Sequence, residues 1–315
     1  MRFVFLMDPL ETVIPEKDTT YFLMCCAKHR GHDIYYMAKD GISLDAGCPV
    51  FDVTQVVPRL PDENPSLFDT VERVSFTAGE VDAVFIRTDP PFDSRYLMHT
   101  WLLDAAAEQT CVINSPRGVR SCNEKVWCSR LPGLTPKTLV TARRDRFDAF
   151  LAEQRKVIVK PTDQYGGKGV FVVNRGDTNA TVIFETLSEG GSREIIVQEY
   201  VDAAEVGDKR ILLLDGEPLG AIFRVHGDSD HRNNLFAGGK ALPAAIDEDD
   251  MRIIEHLRPL LRQLGLHFVG IDVIGGRLIE VNVTSPTCLV EMTAFDKADY
   301  DERIIEYVEK LAAGF

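Results

Sequence analysis

Near its C-terminal end the chain reads Glu280-Val281-Asn282-Val283-Thr284-Ser285-Pro286, with Asp272 eight positions before Glu280. Side chains alternate faces along a strand, so Glu280 and Asn282 point the same way. Asp272 joins them only if residues 272 and 280 oppose each other in an antiparallel pair. That register leaves Gly275-Gly276-Arg277 as a three-residue turn. A tighter Gly-Gly turn would set Asp272 opposite Ile279, on the other face. The pattern therefore predicts a hairpin with a three-residue turn and a face bearing two carboxylates and an amide oxygen. Hard oxygen donors of this kind suit Mg²⁺, which takes the rest of its shell from water and phosphate oxygens. A half-exposed polar hairpin face reads the same way, and segments farther upstream decide between the two.

The first such segment is Val157-Ile158-Val159-Lys160-Pro161, an apolar strand ending in a lysine. An ammonium at that position either snorkels to solvent or meets an anion. Gln164-Tyr165-Gly166-Gly167-Lys168-Gly169-Val170 follows, and its glycines free backbone N–H groups to wrap around phosphate oxygens. A strand follows this turn and no Gly-Lys-Ser/Thr occurs, which excludes a Walker A loop and the dinucleotide fingerprint. Gln198-Glu199-Tyr200-Val201 ends a later strand, where backbone groups are free to pair with an adenine edge. Asp208 and Arg210 share a face on the next strand, and Arg224 lies on its hairpin partner.

A triphosphate site must gather positive charge inside a chain whose formal charge is −14. That balance excludes a general binder of nucleic acid or acidic membrane, which needs a positive footprint. The basic residues are few and must be concentrated. The five apolar residues before Asp8 are too few for a signal-peptide core, and no window approaches a membrane span. The seven cysteines are scattered with no Cys-x-x-Cys, which points to buried thiols in a reducing cytoplasm.

The 315 residues suffice for two or three compact units. Residues 2–7 read as a buried strand, Asp18 as the cap of a helix ending near Gly31, and 33–37 as the next strand. Such a start implies a parallel right-handed crossover. Strand 81–87, a helix from Asp93 to about Gln109, strand 111–113 and a short helix from Pro116 complete an open α/β layer to about residue 120. Beyond it come helix 144–154, strands 156–160 and 169–173, helix 179–188 and strand 194–201. A hairpin of 209–214 and 219–226 follows, joined by Asp215-Gly216-Glu217-Pro218. Residues 227–241 carry glycines, Arg232 and Lys240, and read as a long closing loop. Helix 247–264, strands 267–274 and 277–283 and two closing helices end the chain.

The order Lys125, Lys160, Gly-rich loop, Gln198-Glu199-Tyr200, Asp208-Lys209-Arg210, Asp272, Glu280, Asn282 resembles the ATP-grasp fold. More closely, the chain resembles the bacterial glutathione synthetases. Arg87-Thr88-Asp89-Pro90-Pro91-Phe92-Asp93, Cys122-Asn123-Glu124-Lys125 and Asn282-Val283-Thr284-Ser285-Pro286-Thr287 carry the narrower likeness. The resemblance implies an N-terminal open parallel-sheet, Rossmann-like domain over 1–122. An ATP-grasp fold over 123–315 follows, its two α+β subdomains (about 123–203 and 204–315) holding ATP between them. Its mobile lid would be 227–241.

Residue by residue, the likeness implies that Lys125 and Lys160 contact ATP phosphates under a loop that includes Gln164, Gly166 and Gly167. Glu199, Tyr200 and Val201 would hold the adenine end and Asp208 the ribose. Asp272, Glu280 and Asn282 would bind Mg²⁺, two ions by the family pattern, with Mn²⁺ as the alternative. Arg210, Arg224 and Arg232 would face the reacting groups. Asp18, Arg87, Asp89 and Ser285 would serve γ-glutamylcysteine, with glycine as the amine and a homo-oligomer as the assembly. Two loops depart from the family. Asn233 and Phe236 replace a glycine and an alanine of the lid, and Leu10–Glu16 lacks the usual Asn-rich sequence. A ligase of the same chemistry on another acid and amine therefore stays open, as does a non-catalytic nucleotide-binding module.

Overall fold

The computed structural model describes residues 1–59, 66–225 and 239–315. The first sheet holds β1 (Arg2–Leu6), β2 (Asp33–Met37), β3 (Ile42–Asp45), β4 (Cys48–Pro58), β5 (Phe68–Thr77), β6 (Ala83–Ile86) and β7 (Cys111–Ile113). Its order is β3-β4-β2-β1-β6-β7, with β5 on β4. The expected parallel layer is its core: β2, β1, β6 and β7 run parallel. Three helices cover it: α1 (Thr19–His29), α2 (Ser94–Ala106) and α3 (Pro116–Ser121). The side chains of Asp18, Asp93 and Ser115 cap them by accepting from Tyr21 N, Tyr96 N and Gly118 N.

The sheet is nevertheless mixed, because β3, β4 and β5 add an antiparallel edge. The sequence reading leaves residues 38–80 unassigned. The reason lies in β4: Phe51 and Val53 face one core while Val56, on the opposite face, joins the other. The buried parity switches although β4 pairs with β2 without a break over 54–56, and the extra residue of the irregularity lies in β5. A strict period of two fails where the buried face changes partway along a strand.

The second sheet is antiparallel, in the order β10-β9-β11-β8. It comprises β8 (Thr138–Thr141), β9 (Lys156–Pro161), β10 (Phe171–Asn174) and β11 (Ile195–Glu199), backed by α4 (Arg144–Gln154) and α5 (Ala180–Leu187). Its core of Phe147, Val157, Val159, Phe184 and Val197 is separate from the rest.

The third sheet, order β14-β13-β12-β15-β16, holds β12 (Asp208–Leu214), β13 (Glu217–Val225), β14 (Lys240–Pro243), β15 (Phe268–Ile274) and β16 (Arg277–Asn282). Helices α6 (Glu248–Leu264), α7 (Leu289–Asp296) and α8 (Tyr300–Ala312) pack with it. Its residues Ile211, Val269 and Ile271 share one core with Val4, Leu6 and Val84 of the first sheet. Asn114 stitches the two together: its amide donates to Phe268 O at 2.8 Å and Val283 O at 2.9 Å and accepts from Phe268 N at 2.8 Å.

Three turn and loop expectations are corrected. The β12–β13 connection is the two residues Asp215-Gly216, both at positive φ, so β13 begins earlier than expected. The three-residue turn after β15 is also wrong: Gly275-Gly276 alone make it, at φ 54° and 70°. Asp272 still opposes Glu280, because a bulge in β16 absorbs Ile279. The far end of the expected lid, from Lys240, is strand β14 on the edge of β13, and residues 226–238 lie outside the described residues. Among the described residues no helix is long and apolar enough to cross a membrane.

Candidate active site

A cleft of about 1000 Å³ opens between the second and third sheets. On one wall β9 delivers Lys160 and β11 delivers Gln198 and Glu199. The intervening glycine turn contributes Gln164, Tyr165, Gly166, Gly167 and Lys168. Gly166, Gly167 and Gly169 have φ of 66°, 75° and 71°, a backbone that residues with a Cβ adopt at a cost. Lys160 is only 6% exposed, and its ammonium donates to Gln198 Oε1 at 3.2 Å. Burial lowers its pKa, with Glu280 pulling the other way. Gln198 is itself held by Thr138, to whose hydroxyl its amide donates at 2.9 Å. Glu199 and Lys137 exchange backbone and side-chain bonds at the far end, beside Tyr200 and Val201.

The opposite wall is built by sheet register. Asp208 pairs with Arg224, Arg210 with Asp272, and Asp272 with Glu280. Across four strands, opposite charges therefore pair side by side, Asp208 with Arg224 and Arg210 with Asp272, and the two acids Asp272 and Glu280 stand next to each other. Arg210 grips Asp272 through Nε and through Nη2 at 2.9 Å, and Arg224 reaches the same carboxylate at 3.0 Å while also binding Asp208. Burial alone would raise the pKa of Asp272. The two guanidiniums overcome it and hold the carboxyl well below the usual range. Asn282 Nδ2 stands 3.5 Å from Asp272 Oδ2 and 3.3 Å from Gly270 O. Two carboxylates and an amide on one face form a donor set that fits a hard cation.

Lys125 reaches the same face from the segment after α3, its ammonium 2.7 Å from Glu280 Oε1. Burial opposes its charge, but Glu280 and Glu124 outweigh that and raise its pKa. Glu124, part of the Cys122–Lys125 motif but not among the candidate site residues, also lines the cleft. It accepts from Val283 N at 2.9 Å, Thr284 N at 3.1 Å and Thr284 Oγ1 at 2.8 Å. Gln198 was read only as part of the adenine-side segment. Both act through partners distant in sequence, which leaves no local signature.

The remaining sequence candidates divide. Asp89 and Ser285 line the cleft. Arg87 is buried beneath it, donating to Thr20 Oγ1 and Pro286 O, each at 3.0 Å, with Nη1 unpartnered. Burial lowers its pKa. Asp18 does not line the cleft, and its carboxylate caps α1. Arg232 lies outside the described residues.

The family model for the prokaryotic glutathione synthetase N-terminal domain matches residues 1–120, and that for its ATP-grasp domain matches 124–297. A glutathione synthetase of Vibrio vulnificus is 38% identical over 307 residues, covering 97% of this chain and 96% of that protein. One of Escherichia coli K12 is 37% identical over 292 residues, 92% of each. The fold alone is shared with D-cycloserine synthetase (TM-score 0.66, 20% identity, 99% of each chain). It is shared too with the D-alanine–D-alanine ligase of Bacillus anthracis (TM-score 0.59, 16% identity, 100% of this chain and 99% of that one). With both of its domain models matched and relatives aligned nearly end to end, the chain belongs to the prokaryotic glutathione synthetase family.

Proposed function

We propose that this chain joins the cysteinyl carboxylate of γ-glutamylcysteine to the amine of glycine at the expense of ATP, making glutathione. The observation that carries the reading is the meeting of Lys160 and the glycine turn on one wall with Lys125, Arg210, Arg224, Asp272, Glu280 and Asn282 on the other. A peptide carboxylate oxygen attacks the γ-phosphorus, the bond to the β–γ bridging oxygen breaks, and ADP leaves an acyl phosphate. The amine attacks the acyl carbon, the amide forms as phosphate departs, and the amine loses a proton.

The first step brings anions together, so positioning and neutralisation are the main tasks. Lys125 and Lys160 supply charge at the phosphates, and Arg210 and Arg224 supply it where the carboxylate enters. Arg232 joins them in this reading. Backbone N–H groups around Gln164, Gly166 and Gly167 cover the phosphates. Glu199, Tyr200 and Val201 take the adenine. Asp208 lies at the ribose end, and its grip on Arg224 also orients that guanidinium. Asp272, Glu280 and Asn282 would hold Mg²⁺ (two ions, Mn²⁺ the alternative), which when bound neutralises phosphate oxygens. Asp89, Ser285, Arg87 and Asp18 form the peptide side, where the unpartnered Arg87 nitrogen offers a donor. The reading extends to a domain division at 122/123 and a lid that ends before β14, its residues up to 238 lying outside the described residues. It also takes the protein to be a homo-oligomer in the cytoplasm, supported by the family and by seven unpaired cysteines.

The test is ADP release by purified protein given Mg²⁺, ATP, γ-glutamylcysteine and glycine, beside a panel of other acids and amines. Turnover that needs both named substrates and stops with a chelator is expected. Faster turnover on another pair would move the chain to a different ligation, and no turnover on any pair would refute the reading.

A further inference from the structure

We propose that Cys128 is a positioning residue for the ligation site, its thiol tying the Lys125 carbonyl to the Ile279 carbonyl and so setting where Lys125 and Glu280 stand. The inference rests on the reading of the cleft given above.

Ile279 is the extra residue of the β16 bulge, the device that keeps Glu280 opposite Asp272 despite a two-residue turn. A bulge leaves backbone groups outside the regular ladder, and a buried carbonyl without a donor is costly. β16 is the last strand of its sheet, and residues 124–134 cover its outer edge. Leu278 N donates to Leu134 O at 2.8 Å and Val281 N to Glu124 O at 2.9 Å. These two outward N–H groups are three residues apart instead of the two that a regular edge would give, and the bulge accounts for the difference. In the gap between them the Ile279 carbonyl faces the covering segment. There it meets Cys128 Sγ at 3.4 Å, and the same sulfur lies 3.1 Å from Lys125 O. A thiol carries one proton, so it bridges the two acceptors as a shared donor. The side chains tied to these carbonyls complete the arrangement: Glu280 follows Ile279, and the ammonium of Lys125 itself lies 2.7 Å from Glu280. Cys128 is 1% exposed, so it touches no ligand and acts only through the backbone it holds.

The prediction is read on equilibrium binding of Mg·ADP by calorimetry and on KM against kcat. Cys128→Ala is expected to weaken Mg·ADP binding about 5- to 10-fold and to raise KM for ATP more than it lowers kcat. Cys128→Ser, which keeps a donor, is expected within about 2-fold of the parent. Cys128→Val fills the space without a donor. It must behave like the alanine variant, and it replaces that variant should the alanine protein not fold. Cys111→Ala opens a comparable void in the first sheet, at a thiol also 1% exposed, and is expected to lose stability but not Mg·ADP affinity. Wild-type affinity in Cys128→Ala overturns the proposal. So does a serine variant as weak as alanine, or equal weakening by Cys111→Ala. Parent protein that fails to bind Mg·ADP sinks the reading of the cleft itself, whereas binding with an indifferent Cys128 sinks only this assignment.

Discussion

Replacing Lys160 by methionine is expected to strengthen the nucleotide-free fold while weakening nucleotide binding. The ammonium is buried, and among the described residues its hydrogen bond is to the neutral Gln198 amide, with no carboxylate within 4 Å. An imperfectly compensated buried polar group costs roughly 1–3 kcal/mol. Methionine removes that cost and leaves the Gln198 oxygen without its donor, for a net gain of about 1 kcal/mol. The sign agrees with the lowered pKa: burial disfavours the proton in the folded state. The cost is therefore full below the folded pKa and fades as pH rises toward the ordinary lysine range. With the phosphates of a nucleotide bound the balance reverses. An ammonium about 4 Å from a phosphate charge gains roughly 4 kcal/mol at an effective dielectric constant near 20. With Lys125 still present we take about 2–3 kcal/mol as the loss, a 30- to 150-fold weaker Kd. Urea unfolding with and without saturating Mg·ADP reads both effects: the variant should be the more stable protein alone and the less stable one with nucleotide. A variant destabilised alone and unchanged in Kd would refute the reasoning.

Other perturbations test the frame around the cleft. Glu309 on α8 is held down to about 2 chiefly by its hydrogen bonds from Arg30, against burial and with help from His32. A depressed carboxyl stabilises above its unfolded pKa and loses that contribution as pH falls through the folded value. Glu309→Gln should thus cost about 1–2 kcal/mol near pH 7, allowing for partial exposure. The gap should close toward pH 2 in pH-resolved unfolding, and a constant gap would contradict the assignment. Asn114→Ala removes three buried bonds between the first and third sheets and should cost about 3 kcal/mol in urea unfolding. A loss below about 1 kcal/mol would show that those strands are held otherwise. Gly118→Ala would put a Cβ 2.1 Å from the Leu264 carbonyl oxygen, which is backbone and cannot swing away. It should lower the midpoint of thermal unfolding by several degrees, about 2–3 kcal/mol, and an unchanged midpoint would refute that close approach.

Much of the architecture was legible residue by residue. Helix 144–154 and strands 33–37 and 111–113 begin and end where local pattern placed them, and Asp18, Asp93 and Ser115 cap the helices they precede. The β3–β5 edge escapes because β4 buries opposite faces along its length, Phe51 and Val53 in one core and Val56 in the other, and β5 carries an extra residue opposite Gln55. The hairpin turn differs for a related reason: from sequence a longer turn is the simplest way to pair Asp272 with Glu280, whereas the chain keeps a tight Gly-Gly turn and lengthens the strand. At the site, the oxygen donors, the two lysines and the glycine turn stood out as residue types. Their partners did not. Glu124 meets Thr284 across 160 positions and Lys160 meets Gln198 across 38.

What the amino-acid order determined by itself is local: which stretches extend or coil, where they are capped, and which side chains share a face. The inventory of charge and oxygen follows from the same order. Only the tertiary structure decided which cation faces which carboxylate, and that a bulge at Ile279 rather than a longer turn aligns the two acids. The physical reason is that face alternation comes from dihedral angles within one segment. Register instead is a bargain among turn geometry, a neighbouring strand and the covering segment 124–134, and no single segment contains it.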